Sequence, residues 1–260
     1  MGSKNDRIGE KRINNFGSKM VITKYRKYSD IDVYFPEYNW IAKGTQYINF
    51  KNGNIKCPYE KRTYEVGYIG EGEYKVKENG KQTKYYKVWH SMLQRCYSEE
   101  YHKKYPTYVG CEVDKEWLNF QEYGKWFERN YYEIEGEQMC LDKDILVKHN
   151  KIYSPDTCIF VPHNINVLFT KRDNNRGDYP LGVSYNKQDK KFQATCSIYD
   201  FKENKTKLKH LGYYNTPEKA FETYKQFKEK HIKNVADYYK GLIPEKLYDS
   251  MYNYKVDIND

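Results

Sequence analysis

The strictest pattern in the chain is a run of eight residues, 191–198, in which polar and apolar side chains alternate without interruption. A period of two is typical of a β-strand that buries one face and exposes the other. Strand-like runs also lie at 181–185 and 207–214, each separated from 191–198 by a polar turn. The pattern therefore predicts three antiparallel strands.

A helix start follows the third of these strands. Thr216 is a favoured N-cap residue, Pro217 suits the first helical turn, and Glu218 lies near the positive end of the helix dipole. Apolar side chains then recur at spacings of three and four residues as far as Ala236, and a shorter helix is predicted at 245–252. We therefore expect a three-stranded sheet packed on one long helix.

Five short blocks in this region keep the order and spacing of a known DNA-binding domain. The blocks are Arg176-Gly177, Gly182-Val183, 191–194, 211–214 and 216–221. They resemble the plant ethylene-response-factor (ERF) type DNA-binding domain and its bacterial and phage relatives, over about a fifth of the chain. The resemblance implies that the sheet lies in the major groove of DNA, with alternate side chains directed at the duplex.

The polar side chains of the middle strand are the first candidates for DNA contacts, because they share the face opposite the helix. Such side chains can bind base edges, and flanking lysines can bind phosphates. The predicted DNA-binding residues are Arg176, Lys187, Lys190, Lys191, Gln193, Thr195, Lys207 and Lys209. The formal net charge of +9 favours an anionic partner, and we expect double-stranded DNA.

A second resemblance lies between residues 138 and 170. A strand-like run ending at 141–145, a polar loop at 147–151, a second strand-like run at 159–161 and a short helix follow one another. This order resembles the HNH nucleases of the ββα-metal type, among them the homing endonucleases of phages and mobile elements. The resemblance implies metal-dependent hydrolysis of DNA phosphodiesters, with Mg²⁺ or Mn²⁺ as the cofactor.

The family's residues can be carried over one at a time. Asp142 matches the metal-binding aspartate beside the general base, and Asn166 matches the metal-binding asparagine on the helix. Carboxylate and amide oxygens are ligands that suit Mg²⁺. The chain departs from the family at Lys143, which stands where the family has its general-base histidine. An ordinary lysine is protonated at neutral pH and is a poor base.

Three interpretations of Lys143 stay open. Lys143 could stabilise the charge on the phosphate while His149 or His163 acts as the base. Asp144 could assist through a water molecule. Alternatively, the element could be structural, in which case the protein binds DNA or a host defence protein without cutting DNA.

The remaining segments complete an α+β, multidomain expectation. Runs at 17–25 and 31–35 predict strands, and helical spacing of apolar residues predicts helices at 85–96 and 117–127. We expect a small all-β accessory module at 1–80, an HNH-like ββα-metal domain with flanking helices at 81–172, and an ERF-like domain with a C-terminal helix at 173–260.

Composition narrows the class of protein. An aromatic content of 17% argues against disorder, and no apolar run is long enough to cross a membrane. The six cysteines show no CxxC spacing, so we expect free thiols. The first residues lack the apolar segment of a secretory signal, and we expect a phage-encoded protein in the host cytoplasm.

Overall fold

The computed structural model describes residues 7–170, 179–200 and 205–258. The described residues form a mixed α+β protein with several small sheets, which confirms the predicted class. The chain divides into two compact units, Met1–Arg129 with Lys151–Pro155 (unit 1) and Asn130–Asn150 with Asp156–Asp260 (unit 2). These units group the residues differently from the three domains expected from the sequence.

Short strands and helices alternate along the chain. The strands are β1 (Lys11–Ile13), β2 (Lys19–Lys27), β3 (Asp30–Phe35), β4 (Trp40–Thr45), β5 (Lys77–Glu78), β6 (Lys81–Gln82), β7 (Glu112–Val113), β8 (Met139–Asp142), β9 (Ile152–Tyr153), β10 (Ile159–Pro162), β11 (Val183–Asn186), β12 (Lys191–Asp200) and β13 (Lys205–Tyr214). The α-helices are α1 (Tyr47–Lys51), α2 (Lys84–Tyr97), α3 (Glu99–Lys104), α4 (Phe120–Asn130), α5 (His163–Phe169), α6 (Pro217–Tyr238) and α7 (Glu245–Tyr252).

Unit 1 contains a four-stranded antiparallel sheet in the order β1-β2-β3-β4. The alternation in β2 and β3 buries Met20, Ile22, Ile31 and Val33, and these side chains pack with Phe50 of α1. The strands predicted at 17–25 and 31–35 are thus confirmed, whereas α1 was not predicted.

The rest of unit 1 contains the helices α2, α3 and α4 and the short strand pairs β5–β6 and β7–β9. The spacing in α2 buries Trp89, Met92, Leu93 and Cys96, as the sequence predicts. The ring N–H of Trp89 donates a hydrogen bond to the backbone oxygen of Trp117 at 2.7 Å. The helix predicted at 117–127 is a 3₁₀ turn followed by α4.

Unit 2 contains the antiparallel pair β8–β10 with α5, and the antiparallel sheet β11-β12-β13 with α6 and α7. The predicted strand, loop, strand and short helix over 138–170 are therefore present as elements. The three C-terminal strands, the long helix and the shorter helix also agree with the sequence. Burial of Ala194 and Cys196 on β12 follows from the alternation that predicted the strand.

Helix α6 joins the two parts of unit 2. Its first half packs Phe221 and Tyr224 with Cys196 of the three-stranded sheet. Its second half packs Ile232 and Val235 with the residues of β10, α5 and α7. At about 1.5 Å per residue, the centres of the two contacts lie about 17 Å apart along the helix.

The start of α6 has the predicted cap. The side-chain oxygen of Thr216 accepts a hydrogen bond from the backbone N–H of Lys219 at 3.3 Å, and Pro217 occupies the first turn. The six cysteines are present as thiols rather than disulfides, and five of them are buried. Within the described ranges, no helix combines the length and apolar character that crossing a membrane requires.

Candidate nucleic-acid interface and the Asp142–Asn150 loop

One face of the β11–β13 sheet is turned away from α6. Side chains directly opposite each other on paired strands lie on the same face. Gln193 pairs with Tyr213, and Thr195 pairs with His210. The remaining residues of this face are Ser184, Asn186, Lys191, Ser197, Tyr199, Thr206 and Leu208. We call these eleven residues the outer face; within the described sheet, none of them is acidic.

Seven residues of the outer face are exposed, and the other four, Asn186, Gln193, Thr195 and Tyr199, are half-buried. The face is rich in hydrogen-bonding groups. The side-chain amide of Gln193 hydrogen-bonds Nδ1 of His210 at 3.1 Å, and the ring of His210 lies 4.7 Å from that of Tyr213. Leu208 is 70% exposed among these polar groups. His210, Tyr213 and Leu208 were not predicted from the sequence, because their face depends on the strand register.

A bulge determines which residues of β13 reach this face. Ala194 pairs with Gly212 while Thr195 pairs with His210, so Leu211 is an extra residue. Beyond the bulge, every side chain of β13 changes face relative to an uninterrupted ladder.

Lys207 and Lys209 lie on the helix side of the sheet as a result. They pair with Ile198 and Cys196 respectively, and both of those apolar side chains pack against α6. Nζ of Lys209 lies 4.9 Å from the ring centroid of Phe227, and Nζ of Lys207 is 2.7 Å from Asp200. The structure therefore does not bring these two predicted DNA contacts to the outer face.

The turn between β11 and β12 presents the other lysines. Lys187, Lys190 and Lys191 are exposed there. The side-chain oxygen of Asn186 accepts hydrogen bonds from the backbone N–H groups of Gln188 and Asp189 at 2.9 and 3.2 Å, which fixes the turn. Arg176, the remaining predicted contact, lies outside the described residues.

The carboxylate of Asp142 closes the turn after β8. Its Oδ1 accepts hydrogen bonds from the backbone N–H groups of Asp144 and Ile145 at 2.9 and 2.8 Å. Burial raises the pKa of Asp142 to about 6, and the negative charge of Asp144 acts in the same direction. The two N–H donors and Lys143 act in the opposite direction and do not outweigh burial.

Lys143 is buried, with 8% of its surface exposed, and holds the same loop closed. Its ammonium group donates hydrogen bonds to the carboxylate of Asp144 and to the backbone oxygen of Asn150, both at 2.8 Å. The side-chain amide of Asn150 donates in return to the backbone oxygen of Lys143 at 2.7 Å. Lys143 therefore acts in the structure as an internal cation that pairs two parts of the loop.

Of the two candidate bases, only His149 belongs to the same loop. His149 is exposed at the tip of the loop with a left-handed backbone, φ +61°. His163 begins α5, next to Pro162, which pairs with Met139 at the start of β8. Asp142 lies at the other end of that strand, about 10 Å along it. The structure therefore brings Asp142, Lys143 and Asp144 together but not His163.

The metal candidates are only partly assembled. Asn166 lies in α5 and its backbone oxygen accepts a hydrogen bond from Thr170, so it is on the helix that the resemblance implies. The carboxylate of Asp144 already pairs with the ammonium group of Lys143. Across the described part of the chain, no three His, Cys, Asp or Glu side chains converge to hold a metal ion.

A polar network that the sequence analysis missed fixes α5 to the end of α6. The phenol of Tyr239 donates a hydrogen bond to the carboxylate of Glu137 at 2.6 Å, and the amide of Asn164 donates to the same carboxylate at 3.1 Å. Burial raises the pKa of Tyr239, so the phenol remains a donor at neutral pH. No local pattern could have revealed it, since Glu137 and Tyr239 are 102 residues apart.

Comparisons with protein-family models, curated proteins and solved structures found no match to this chain.

Proposed function

We propose that this chain binds duplex DNA with the outer face of β11–β13, and that its Asp142–Asn150 loop is a structural element without nuclease activity. The observation that carries the first part is the exposed, hydrogen-bonding outer face with the Lys187, Lys190 and Lys191 turn at its edge. The major groove is about 12 Å wide and admits a β-ribbon. Lysines at the edge of such a ribbon can reach the phosphates.

The outer face offers each kind of contact that DNA recognition uses. The amide of Gln193 can pair with the edge of an adenine, and the exposed Leu208 can contact the methyl group of a thymine. Lys187, Lys190 and Lys191 supply phosphate contacts, which contribute affinity without sequence information.

The second part rests on Lys143. A general base must take a proton from water. The buried ammonium group of Lys143 instead donates hydrogen bonds to the carboxylate of Asp144 and to the backbone oxygen of Asn150. This pairing supports an interpretation of the loop as a closed structural turn.

The duplex interface can be tested by the salt dependence of binding. The triple variant Lys187→Gln, Lys190→Gln, Lys191→Gln should weaken binding of a labelled duplex at least about tenfold. It should also reduce the slope of log K against log salt by about 2.7, since each lost phosphate contact contributes roughly 0.9. Fluorescence anisotropy at several salt concentrations measures both quantities.

The matched control uses the lysines on the helix side. The double variant Lys207→Gln, Lys209→Gln should keep the wild-type slope, after circular dichroism has shown that it is folded. An unchanged slope in the triple variant, or an equal loss in the control, would contradict the assignment of the outer face.

Metal-dependent cleavage of DNA is the second candidate function, and the repulsion between Asp142 and Asp144 favours it. A divalent ion would relieve this repulsion, and Asp142, Asp144 and Asn166 offer oxygen ligands of the type that Mg²⁺ prefers. The fit is incomplete because Lys143 already pairs with Asp144.

A plasmid-nicking assay distinguishes the two candidate functions. We expect no nicking by the wild type with Mg²⁺ or Mn²⁺, and unchanged duplex binding by Asp142→Ala. Nicking by the wild type that disappears in Asp142→Ala would establish the second candidate instead. Activity that appears only in Lys143→His would identify Lys143 as the substitution that removed the base.

A further inference from the structure

A tight turn in unit 1 is fixed by one buried side chain. Asn14, 4% exposed, accepts hydrogen bonds through Oδ1 from the backbone N–H groups of Phe16 and Ser18 at 3.0 and 2.8 Å. Its side-chain nitrogen donates to the backbone oxygen of Ile55 at 3.1 Å and to the carboxylate of Glu60. These four bonds use the capacity of the Asn14 amide fully and hold the β1–β2 turn in one conformation.

The fixed turn presents an aromatic ring to solvent. Phe16 is 45% exposed. Nζ of Lys56 lies 5.4 Å from its ring centroid, and Cζ of Arg62 lies 4.9 Å from it. We call Phe16, Lys56 and Arg62 the Phe16 platform. A rigid aromatic side chain loses little conformational entropy when a ligand stacks on it.

The surroundings of the Phe16 platform are strongly cationic. The segments 11–19 and 51–62, which meet at the turn, contain seven Lys and Arg residues, and all seven are exposed. Their one carboxylate is Glu60, which is 3% exposed, bonded to Asn14 and 3.6 Å from Nε of Arg62. Arg12 also pairs with Glu10, which lies just outside these segments, at 3.3 Å. Two carboxylates against seven cations still leave a field at this surface that favours a polyanion.

Not every cationic side chain of unit 1 is available to bind an anionic ligand. Arg26 pairs with Asp30 and Asp32, and its hydrogen bonds lower the pKa of both carboxyl groups. Such a cation is neutralised within the fold. Arg62 also has a carboxylate neighbour, Glu60 at 3.6 Å, but both Arg62 and Lys56 lie beside an exposed aromatic ring.

We propose that the Phe16 platform binds single-stranded DNA, with an unpaired base stacked on Phe16 and the adjoining phosphates bound by Lys56 and Arg62. Stacking requires a base whose face is free, and a duplex keeps those faces covered. An exposed aromatic ring beside cationic side chains is the combination that single-strand binding uses, with little dependence on sequence. This site is distinct from the outer face of β11–β13, which takes the duplex.

The probe is a labelled oligo(dT) of about 12 nucleotides, a length within the usual range of single-strand sites. Phe16→Ala in the full chain should weaken its binding about tenfold, the effect of removing one base–aromatic stack. Phe16→Trp should retain binding because the ring is kept. Ile13→Ala is the matched control, since Ile13 is a neighbouring apolar side chain that is 69% exposed.

Two further arms separate stacking from charge. An oligomer of the same length without bases should bind the wild type about as weakly as oligo(dT) binds Phe16→Ala. Lys56→Gln with Arg62→Gln should weaken both oligomers and reduce the salt slope. Three results would overturn the proposal. The wild type could bind the two oligomers equally, Phe16→Ala could bind oligo(dT) as tightly as the wild type does, or polyglutamate could compete as effectively as unlabelled oligo(dT).

The outcome is independent of the duplex interface. The triple lysine variant of the β11–β12 turn should bind oligo(dT) as the wild type does, and Phe16→Ala should bind a blunt duplex as the wild type does. If the wild type does not bind the duplex but Phe16→Ala still weakens oligo(dT) binding, the proposed function is refuted. If the wild type binds the duplex but Phe16→Ala binds oligo(dT) as tightly as the wild type does, the single-strand site is refuted.

Discussion

Gly182→Ala should destabilise unit 2 by about 3 kcal/mol. Gly182 has φ +77°, a left-handed conformation that costs another residue about 1–2 kcal/mol. In addition, a Cβ atom at this position would collide with the ring of Tyr224, which is 6% exposed and packs between α6 and the sheet. Displacing a buried ring from its packed position lowers the free energy of unfolding by a further amount of about 1–3 kcal/mol.

Gly136 provides a control with the same backbone strain and no collision. Its φ is +76°, it lies in unit 2, and nothing lies within 4 Å of the Cβ position. Gly136→Ala should therefore cost only about 1 kcal/mol. Urea unfolding of both variants measures the difference, and equal losses would contradict the close contact between Gly182 and Tyr224. Duplex binding at a temperature near the midpoint should fall in proportion to the folded fraction of Gly182→Ala.

The C-terminal elements around Gly182 could be predicted well from local signals. The strands of β11–β13 and the start of α6 depend on alternation, polar turns and the Thr216-Pro217 cap. The close contact between Gly182 and Tyr224 supplies a physical reason for a glycine at this position. Local rules of this kind predict elements because each signal lies within a few residues of its effect.

The faces of those strands were harder to predict. An uninterrupted ladder from Ala194 and Gly212 would put Lys207 and Lys209 on the outer face, and the extra residue at Leu211 reverses this. Nothing in the alternation of β12 reveals a bulge in its partner. Gln193 and Thr195 lie on the face expected for them, because they belong to the strand whose own alternation predicted it; their DNA contacts stay a prediction.

The candidate site in the Asp142–Asn150 loop shows the same limit. The sequence predicted Asp142 at a strand end and Asn166 on a helix, and both are there. It could not predict the reciprocal bonds between Lys143 and Asn150, because these depend on the path of the loop. The bonds of Asn14 to Ile55 and Glu60 likewise join residues more than 40 positions apart.

The free energy of unfolding of the wild type should fall as the pH rises from about 4 to about 6. Asp142→Asn should not show this fall. The pKa of Asp142 is raised from 3.8 to about 6 in the folded protein. Well below pH 3.8 the carboxyl group is protonated in both the folded and the unfolded states, and its contribution to stability is at its maximum. As the pH rises, the unfolded state releases the proton first, so the free energy of unfolding falls until the pH passes the folded pKa.

The size of this effect follows from the shift. Each pKa unit corresponds to about 1.4 kcal/mol, so the full shift corresponds to about 3 kcal/mol, of which about 2 kcal/mol should be lost between pH 4 and pH 6. Asparagine keeps an Oδ1 acceptor for the N–H groups of Asp144 and Ile145 but carries no charge. The difference in unfolding free energy between Asp142→Asn and the wild type should therefore grow from pH 4 to pH 6 and then stay constant.

Urea unfolding at constant ionic strength measures this difference, with Asp156→Asn as the control because Asp156 is exposed and in the same unit. A wild type that instead gains stability relative to Asp142→Asn over this range would show that a cation faces the Asp142 carboxylate.

Added Mg²⁺ distinguishes the two functions proposed for the loop. An ion bound by Asp142 must compete with its proton, so Mg²⁺ would stabilise the wild type increasingly from pH 5 to pH 7 and leave Asp142→Asn unchanged. Superimposable unfolding curves with and without Mg²⁺ are expected if Lys143 is the cation that closes this loop.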